Sequence, residues 1–270
     1  MEIINNEIGT KKILICGYGN IGQHLYKELE PLVAKNLATI AIYDKYKNEE
    51  INGLKNINSD ENYDYMFICV PTEMKEDGSA DIYAVEECIN RFTKVDVVII
   101  KSAIPVGTCD KLNNLNIVIS PEYWGTTQHC PEPNFLILGG YRYATDKVVQ
   151  LYNLIKNGYY KYYITDYKTA ELVKYMENSW IAAKVTFCNE FAKIAEGFGV
   201  SYAELRELWL ADSRVSPSHT LVYDNKPYYD SHCLNKDIPA LISFCNKAKI
   251  NTPFMQSVLD VNTNIKRSFE

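Results

Sequence analysis

The sequence predicts an α/β fold: a doubly wound parallel sheet, followed by a helical domain entered through one long connecting helix. Three observations predict it. The short apolar run K-I-L-I-C-G at residues 12–17 enters a glycine-rich turn and then a helical stretch. Strand-like and helical stretches alternate from there to about residue 165, the pattern of parallel βαβ units. From Asp166 to Glu196 there is neither proline nor glycine, and apolar residues recur at helical spacing. The division expected from this is 1–165 for the sheet domain and 166–270 for the helical domain, with the long helix over 166–198.

Composition narrows the classes. The 270 residues are 47% hydrophobic and 23% charged, an ordinary globular balance that excludes disordered and fibrous chains. A formal charge of −6 argues against a nucleic-acid or anionic-membrane partner. The N-terminal residues lack the apolar core of a signal peptide, and no apolar run reaches the length of a membrane span, so a cytoplasmic protein is expected. The eight cysteines contain no CxxC pair. In a reducing compartment they read as buried thiols, not as a disulfide or zinc framework.

The first strand ends in G-Y-G-N-I-G, with Gly17, Gly19 and Gly22 ahead of Q-H-L-Y-K-E-L. Strand, glycine turn and helix together mark a Rossmann-type dinucleotide site: the glycines let backbone approach a pyrophosphate, and the amides of Asn20, Ile21 and Gly22 at the helix start hold it. The second strand, A-T-I-A-I-Y-D, ends in Asp44, about twenty residues on, where a carboxylate binds the ribose hydroxyls and repels a 2′-phosphate. NAD is therefore favoured over NADP, with Lys45 and Lys47 close enough to temper the preference. Strands follow at 63–70, 95–102 and 116–120, separated by helices around 81–94 and near 108–113. Their ends, V-P-T-E with Val70, Pro71 and Thr72, K-S-A-I-P-V-G-T with Ser102, and S-P-E-Y-W-G with Glu122, should ring the nicotinamide. F-L-I-L-G-G at 135–140 and a helix near 144–157 complete the domain.

In the long helix, Leu172, Met176, Trp180, Ala183, Phe187, Phe191, Ile194 and Phe198 form one apolar stripe, and Val173, Ile181, Val185, Cys188, Ala192 and Ala195 a second. That pattern predicts burial on more than one face. At about 1.5 Å per residue the helix is roughly 45–50 Å long, enough to span two packing neighbours or a subunit interface. Thr165 or Asp166 is placed to cap its start, and Gly197 or Gly199 its end. Lys174 and Asn178, four apart, put an ammonium and an amide side by side; spacing alone leaves a plain solvated edge open. A helix near 202–211 is followed by a long polar loop, then C-L-N-K-D, with Cys233 just before a helix expected to begin near Asn235 or Asp237. Helix amides and Lys236 would both favour a thiolate there, although placement alone fits a plain buried thiol equally well.

Taken together, G-Y-G-N-I-G, I-C-V-P-T with Asp77, Gly78 and Asp81, I-K-S-x-I-P-V-G-T, S-P-E-Y, A-E-L-V-K-Y-M-E-N, D-S-R-V and C-L-N-K-D resemble, in family order, the UDP-glucose/GDP-mannose dehydrogenase family. The resemblance implies a homodimer through the long helix, NAD as cofactor, and oxidation of a primary alcohol of a sugar or nucleotide-sugar to a carboxylate. It further implies Cys233 as nucleophile, with Lys174 and Asn178 on the substrate oxygen. Asp237 would assist proton transfer, Glu122 would act as base in thioester hydrolysis, and Arg214 and Lys236 would contact substrate. Departures accompany the matches. Ala103 stands where the family has a hydroxyl, P-E-Y-W-G-T-T lacks the family's second acid, and P-Y-Y-D-S-H replaces a glycine-rich loop before the cysteine. The family's C-terminal nucleotide-binding domain would begin where these residues end, so weak affinity for a bare UDP or GDP is expected. Two other readings stay open: a two-electron β-hydroxyacid-type dehydrogenase using Lys174 and Asn178, and a non-catalytic NAD-binding dimeric module.

Overall fold

The structure is a computed structural model that describes residues 9–47, 50–51, 54–55, 61–112, 116–125, 133–156 and 160–269. Its elements are β1 (Lys11–Cys16), α1 (Asn20–Ala34), β2 (Ala38–Tyr43), the short β3 (Glu50–Ile51) and β4 (Leu54–Lys55), β5 (Tyr63–Ile68), α2 (Tyr83–Arg91), β6 (Val95–Ile100), α3 (Thr108–Leu112), β7 (Ile117–Ile119), β8 (Phe135–Gly140), α4 (Arg142–Lys156), β9 (Lys161–Thr165), α5 (Tyr167–Gly197), α6 (Tyr202–Trp209), α7 (His232–Lys247) and α8 (Pro253–Arg267). The chain divides into two compact units. One holds Met1–Glu73, Asp81–Trp124 and Pro133–Leu172; the other holds Met74–Ala80, Gly125–Glu132 and Val173–Glu270.

The first unit is built on a seven-stranded sheet of order β2-β1-β5-β6-β7-β8-β9. Strand side chains alternate between its faces, so Ile13 and Ile15 join Leu25, Leu29, Val148 and Leu151 on one side, while Leu14 and Cys16 join Val85, Cys88 and Phe92 on the other. Burial on both faces explains why the central strands are continuous apolar runs. The sheet is parallel from β2 to β7, as the sequence predicts for the doubly wound part, and β8 then pairs antiparallel with β7, which makes the sheet mixed. Helix α4 then supplies a crossover, so β9 runs parallel to β8. The reversal depends on a glycine pair: a Cβ on Gly139 would lie 2.5 Å from Ala170 Cβ, and Gly140 has φ +155° with Ile117 O 2.8 Å from where its Cβ would be. Strand β9, read from sequence only as a lead into the long helix, is mostly exposed at the sheet edge and lacks the alternation that marks a half-buried strand.

Helix α5 has the caps its sequence suggests. Asp166 Oδ1 accepts the Thr169 amide at 2.9 Å, and Gly199 adopts φ +67° just past the end. Its apolar stripe, however, faces outward. Trp180 is 64% exposed and Met176 72%, and Leu172, Phe187, Phe191, Ile194 and Phe198 are exposed as well; Ala183 alone of the stripe is buried. The inward side carries Tyr175, Asn178, Ser179, Ala182, Thr186 and Asn189, mostly small or polar, and Ala182 and Ala183 pack with Leu234, Ile238 and Ile242 of α7 and Val258 of α8. Small residues allow close helix approach, so the bulky stripe is displaced to the surface. Among the described residues, no helix is long and apolar enough to cross a membrane.

Candidate functional site

In the first unit, β1, β2 and β5 end side by side, and their terminal loops form a cleft of about 250 Å³ lined by Gly17, Asp44, Val70 and Pro71, with Tyr43, Glu73, Asp81, Tyr83 and Glu87. Gly17 has φ +90° and lies so close to the end of β5 that a Cβ would meet Cys69 backbone at 2.9 Å. A Cβ on Gly22 would sit 2.0 Å from Gly17 O, so that glycine sets the tightness of the turn. Gly19 differs: a Cβ there meets nothing within 4 Å. It is the N-cap of α1 and has no side chain to satisfy the first amides, at Asn20, Ile21 and Gly22. Open space above uncapped helix amides is the geometry that suits a phosphate.

Asp44 is fixed in the cleft. Its Oδ2 accepts the Tyr18 amide at 2.7 Å and its Oδ1 the Tyr46 amide at 3.0 Å. The two lysines that tempered the cofactor expectation are both engaged: Lys45 Nζ donates to Glu87 Oε2 at 2.9 Å, and Lys47 Nζ to the Tyr18 carbonyl. Asp44→Ala should therefore narrow a preference for NAD over NADP from roughly tenfold or more, about 1.4 kcal/mol, to near parity. Calorimetry with both dinucleotides checks this, and equal affinity in the unmodified protein would sink it.

Thr72 and Ser102 are buried with their hydroxyls turned to backbone: Thr72 Oγ1 donates to Ala103 O at 2.7 Å and Ser102 Oγ to Val70 O at 2.6 Å. Together they tie the β5 and β6 end loops to each other and neither lines the cleft. Glu122, at the end of β7, faces the buried Lys101 at 3.2 Å. Its Oε1 also accepts the amides of Tyr123 and Trp124 at 2.9 and 2.7 Å. Burial would raise this carboxyl, but the Lys101 ammonium and the amides outweigh it and hold it below the ordinary range. The Trp124 indole, positioned by that bond, stacks on His24 of α1 with centroids 4.3 Å apart.

The second unit gathers the remaining predicted residues. Asn178, buried on α5, donates from Nδ2 to Asp237 Oδ2 at 2.6 Å, and Lys236 Nζ donates to Asp237 Oδ1 at 2.6 Å. Lys174, one turn before Asn178, pairs with Glu177 at 2.8 Å. Helix α7 begins at His232, capped by Ser231, whose side chain accepts the Leu234 amide. Cys233 thus lies inside the first turn rather than ahead of it, one turn from Asp237 on the same face. It is exposed, while Cys16, Cys69, Cys88, Cys109, Cys188 and Cys245 are buried. Cys130 lies outside the described residues. Arg214 is exposed and held by Asp212, with Nε 3.0 Å from its Oδ1.

Several contributors are given no role by the motifs, although Lys101 and Glu171 lie inside two of them. Lys101 reads as a turn residue after a strand. Glu171, buried on α5, accepts the Gly107 amide at 2.5 Å and the Cys109 amide at 2.9 Å, capping α3 from a distant element. Lys184 donates to Ser216 O at 2.6 Å, and Arg206 to Thr220 Oγ1 at 2.8 Å, which anchors the loop bearing Arg214. Only a set of long-range hydrogen bonds identifies them.

Models of the UDP-glucose/GDP-mannose dehydrogenase family match residues 12–140, as its NAD binding domain, and 168–264, as its central domain. UDP-glucose 6-dehydrogenase of Rickettsia prowazekii (strain Madrid E) is 28% identical over 226 residues, covering 77% of this chain and 51% of that protein. The chain spans about half the length of the curated relatives it matches. A UDP-glucose dehydrogenase structure from Pyrobaculum islandicum superposes with TM-score 0.78 at 20% identity, covering 98% of this chain and 71% of that one. A 3-hydroxyisobutyrate dehydrogenase from Mycobacterium tuberculosis gives TM-score 0.67 at 14% identity, with 95% and 94% covered. At such identities the two structures speak for the fold alone.

Proposed function

The chain belongs to the UDP-glucose/GDP-mannose dehydrogenase family, and on that premise we propose that it is an NAD-dependent oxidoreductase converting a primary alcohol of a sugar or nucleotide-sugar to a carboxylate. The observation that carries this reading is the Asn178–Asp237–Lys236 cluster, with exposed Cys233 one turn away on the same helix. A buried carboxylate with two side-chain donors one turn from an accessible thiol is costly to keep without chemistry to perform. The glycine turn and Asp44 fit NAD, which when bound accepts the hydride in each oxidation.

This chain's residues do the rest. Cys233 Sγ adds to the aldehyde carbon, and the oxyanion so formed is stabilised by the Lys174 ammonium and the Asn178 amide. Asp237 moves the proton between substrate oxygen and water, within a cluster where Lys236 keeps it oriented. Water then cleaves the thioester to release the acid. Arg214 and Lys236 would meet the substrate's anionic parts. A division into a 1–165 cofactor domain and a 166–270 helical catalytic domain goes with this reading, as does a cytoplasmic setting.

One observation favours a second reading. Glu122, the residue assigned to hydrolysis, already has Lys101 and two amides on its carboxylate, which makes it a weak base and suits a two-electron oxidation better. The yield of NADH per substrate consumed, measured across a panel of sugars and nucleotide-sugars, separates the two: two per substrate supports the four-electron route, and one overturns it in favour of the second.

The homodimer forms, on this proposal, through the outward stripe of α5. A line of exposed Met176, Trp180, Phe187 and Phe191 on one helix exceeds what a monomer ordinarily leaves in water. Trp180→Glu combined with Phe187→Glu should convert dimer to monomer in sedimentation velocity, with the circular dichroism spectrum unchanged. An unmodified protein that sediments as a monomer at micromolar concentration rules the pairing out.

A further inference from the structure

Residues 227–232, P-Y-Y-D-S-H, deliver Cys233, and the structure holds this segment from α8. Asn262, 5% exposed, reads the backbone of Tyr229 in both directions: its Oδ1 accepts the Tyr229 amide at 2.8 Å and its Nδ2 donates to the Tyr229 carbonyl at 3.1 Å. One turn further along α8, Lys266 Nζ donates to Asp230 Oδ1 at 2.9 Å. The same carboxylate takes Lys226 Nζ at 2.9 Å and Asn235 Nδ2, from the first turns of α7, at 2.8 Å. Ser231 follows at once and caps α7.

The chemistry of these contacts is not that of plain helix packing. The neighbouring core is apolar, with Leu234, Ile238 and Val258 around Tyr229. Burying an amide there costs free energy unless both its ends are bonded, and here both ends are spent on one residue's backbone. The result fixes a loop that would otherwise be free in φ and ψ, four residues from the thiol. A reacting group displaced by about 1 Å can lose on the order of 10² in rate, so such fixation has a direct use.

We propose that α8 positions the nucleophile: Asn262 and Lys266 are positioning residues that act through Tyr229 and Asp230 to order the first turn of α7 beneath Cys233. The proposal rests on the reading of Cys233 as the reactive thiol. With the clamp in place, the first turn of α7 stays closed beneath Cys233, with Ser231 on the Leu234 amide. With the clamp loosened, the turn frays and the thiol reacts as in an unstructured peptide.

The test is alkylation of Cys233 by iodoacetamide at fixed pH, followed by peptide mapping, on the full chain and on Asn262→Asp, Lys266→Met and Lys266→Arg. Asn262→Asp keeps the shape and loses the donor; Lys266→Met keeps the stem and loses the charge. Both should alkylate more slowly, by about three- to tenfold, with NAD affinity within twofold of the unmodified protein, and Lys266→Arg should restore the rate. Should Asn262→Asp fail to fold, Lys266, at the edge of the protein with a 36% exposed side chain, carries the test alone. An unchanged or faster rate in Lys266→Met overturns the proposal. A failure of the nucleophile reading shows separately, as an unmodified protein that alkylates no faster than a model thiol whatever the clamp does.

Discussion

Cys233→Ala is expected to abolish carboxylate formation, by on the order of 10³-fold or more, while leaving NAD affinity unchanged. The covalent route needs sulfur at that position: without it the aldehyde has no protein-bound form to be oxidised. The residues proposed to hold the cofactor, Gly17, Gly19, Gly22 and Asp44, belong to the other compact unit, so the substitution leaves them intact. The decisive comparison is with Cys233→Ser, which restores bulk and hydrogen bonding but not thiolate chemistry, and which should behave like the alanine variant. Product analysis by mass spectrometry, together with NADH yield, reads the result. If the alanine variant still gave two NADH per substrate, the thioester mechanism would be wrong; if it gave one and released aldehyde, the first oxidation would stand without the second.

Lys101→Met is expected to destabilise the protein by about 3–5 kcal/mol at pH 7. Lys101 and Glu122 form a pair whose side chains are 2% and 13% exposed, and removal of the ammonium leaves a carboxylate buried without its countercharge. The pH dependence has a definite sign. In the unmodified protein the Glu122 carboxyl is held below its ordinary value, so its contribution to stability is present above about pH 4.5 and is lost as pH falls through the lowered folded value. In the variant only the Tyr123 and Trp124 amides oppose burial, the carboxyl takes up a proton more readily, and the deficit relative to the unmodified protein shrinks on acidification. Lys101→Met with Glu122→Gln should recover most of the loss, because a buried pair replaced together is close to neutral. Urea unfolding at pH 7 and at pH 4.5 measures both; a deficit under about 1 kcal/mol, or one indifferent to pH, contradicts the account.

What could be read in the sequence, and what could not, follows from the range of each signal. The β1–glycine turn–α1 stretch is local: every element of its logic lies within Lys11–Ala34, and the structure has it where the residues imply. The direction of β8 is not local. Phe135–Gly140 reads as a strand either way, and only its partner β7 makes it antiparallel. Periodicity in α5 located the helix and its caps, and of its two stripes the second lies inward, with Cys188 and Ala195 buried and Ile181 and Val185 against the core, while the first faces out, because a stripe of large apolar residues is equally consistent with an inner seam and an outer one. The inner face was set instead by Ala182 and Ala183, which allow α7 and α8 to approach. At the site, Cys233, Lys236 and Asp237 were visible as a motif, whereas the start of α7 was misplaced because Ser231 looks like one more polar loop residue until its side chain is seen on the Leu234 amide. The roles of Lys101, which stands inside a quoted motif, and of Asn262 were invisible for the opposite reason: each works through a partner elsewhere in the chain.

The outward stripe of α5 has a consequence for how the protein behaves in a test tube. On the proposed pairing, folding and association are linked by mass action, so the melting temperature falls on dilution instead of staying fixed. Trp180, 64% exposed in the single chain, is then a built-in gauge of the equilibrium. Its emission shifts to the blue as copies come together and the indole leaves water, and the concentration at which half the shift has occurred is the dissociation constant, obtained without a label.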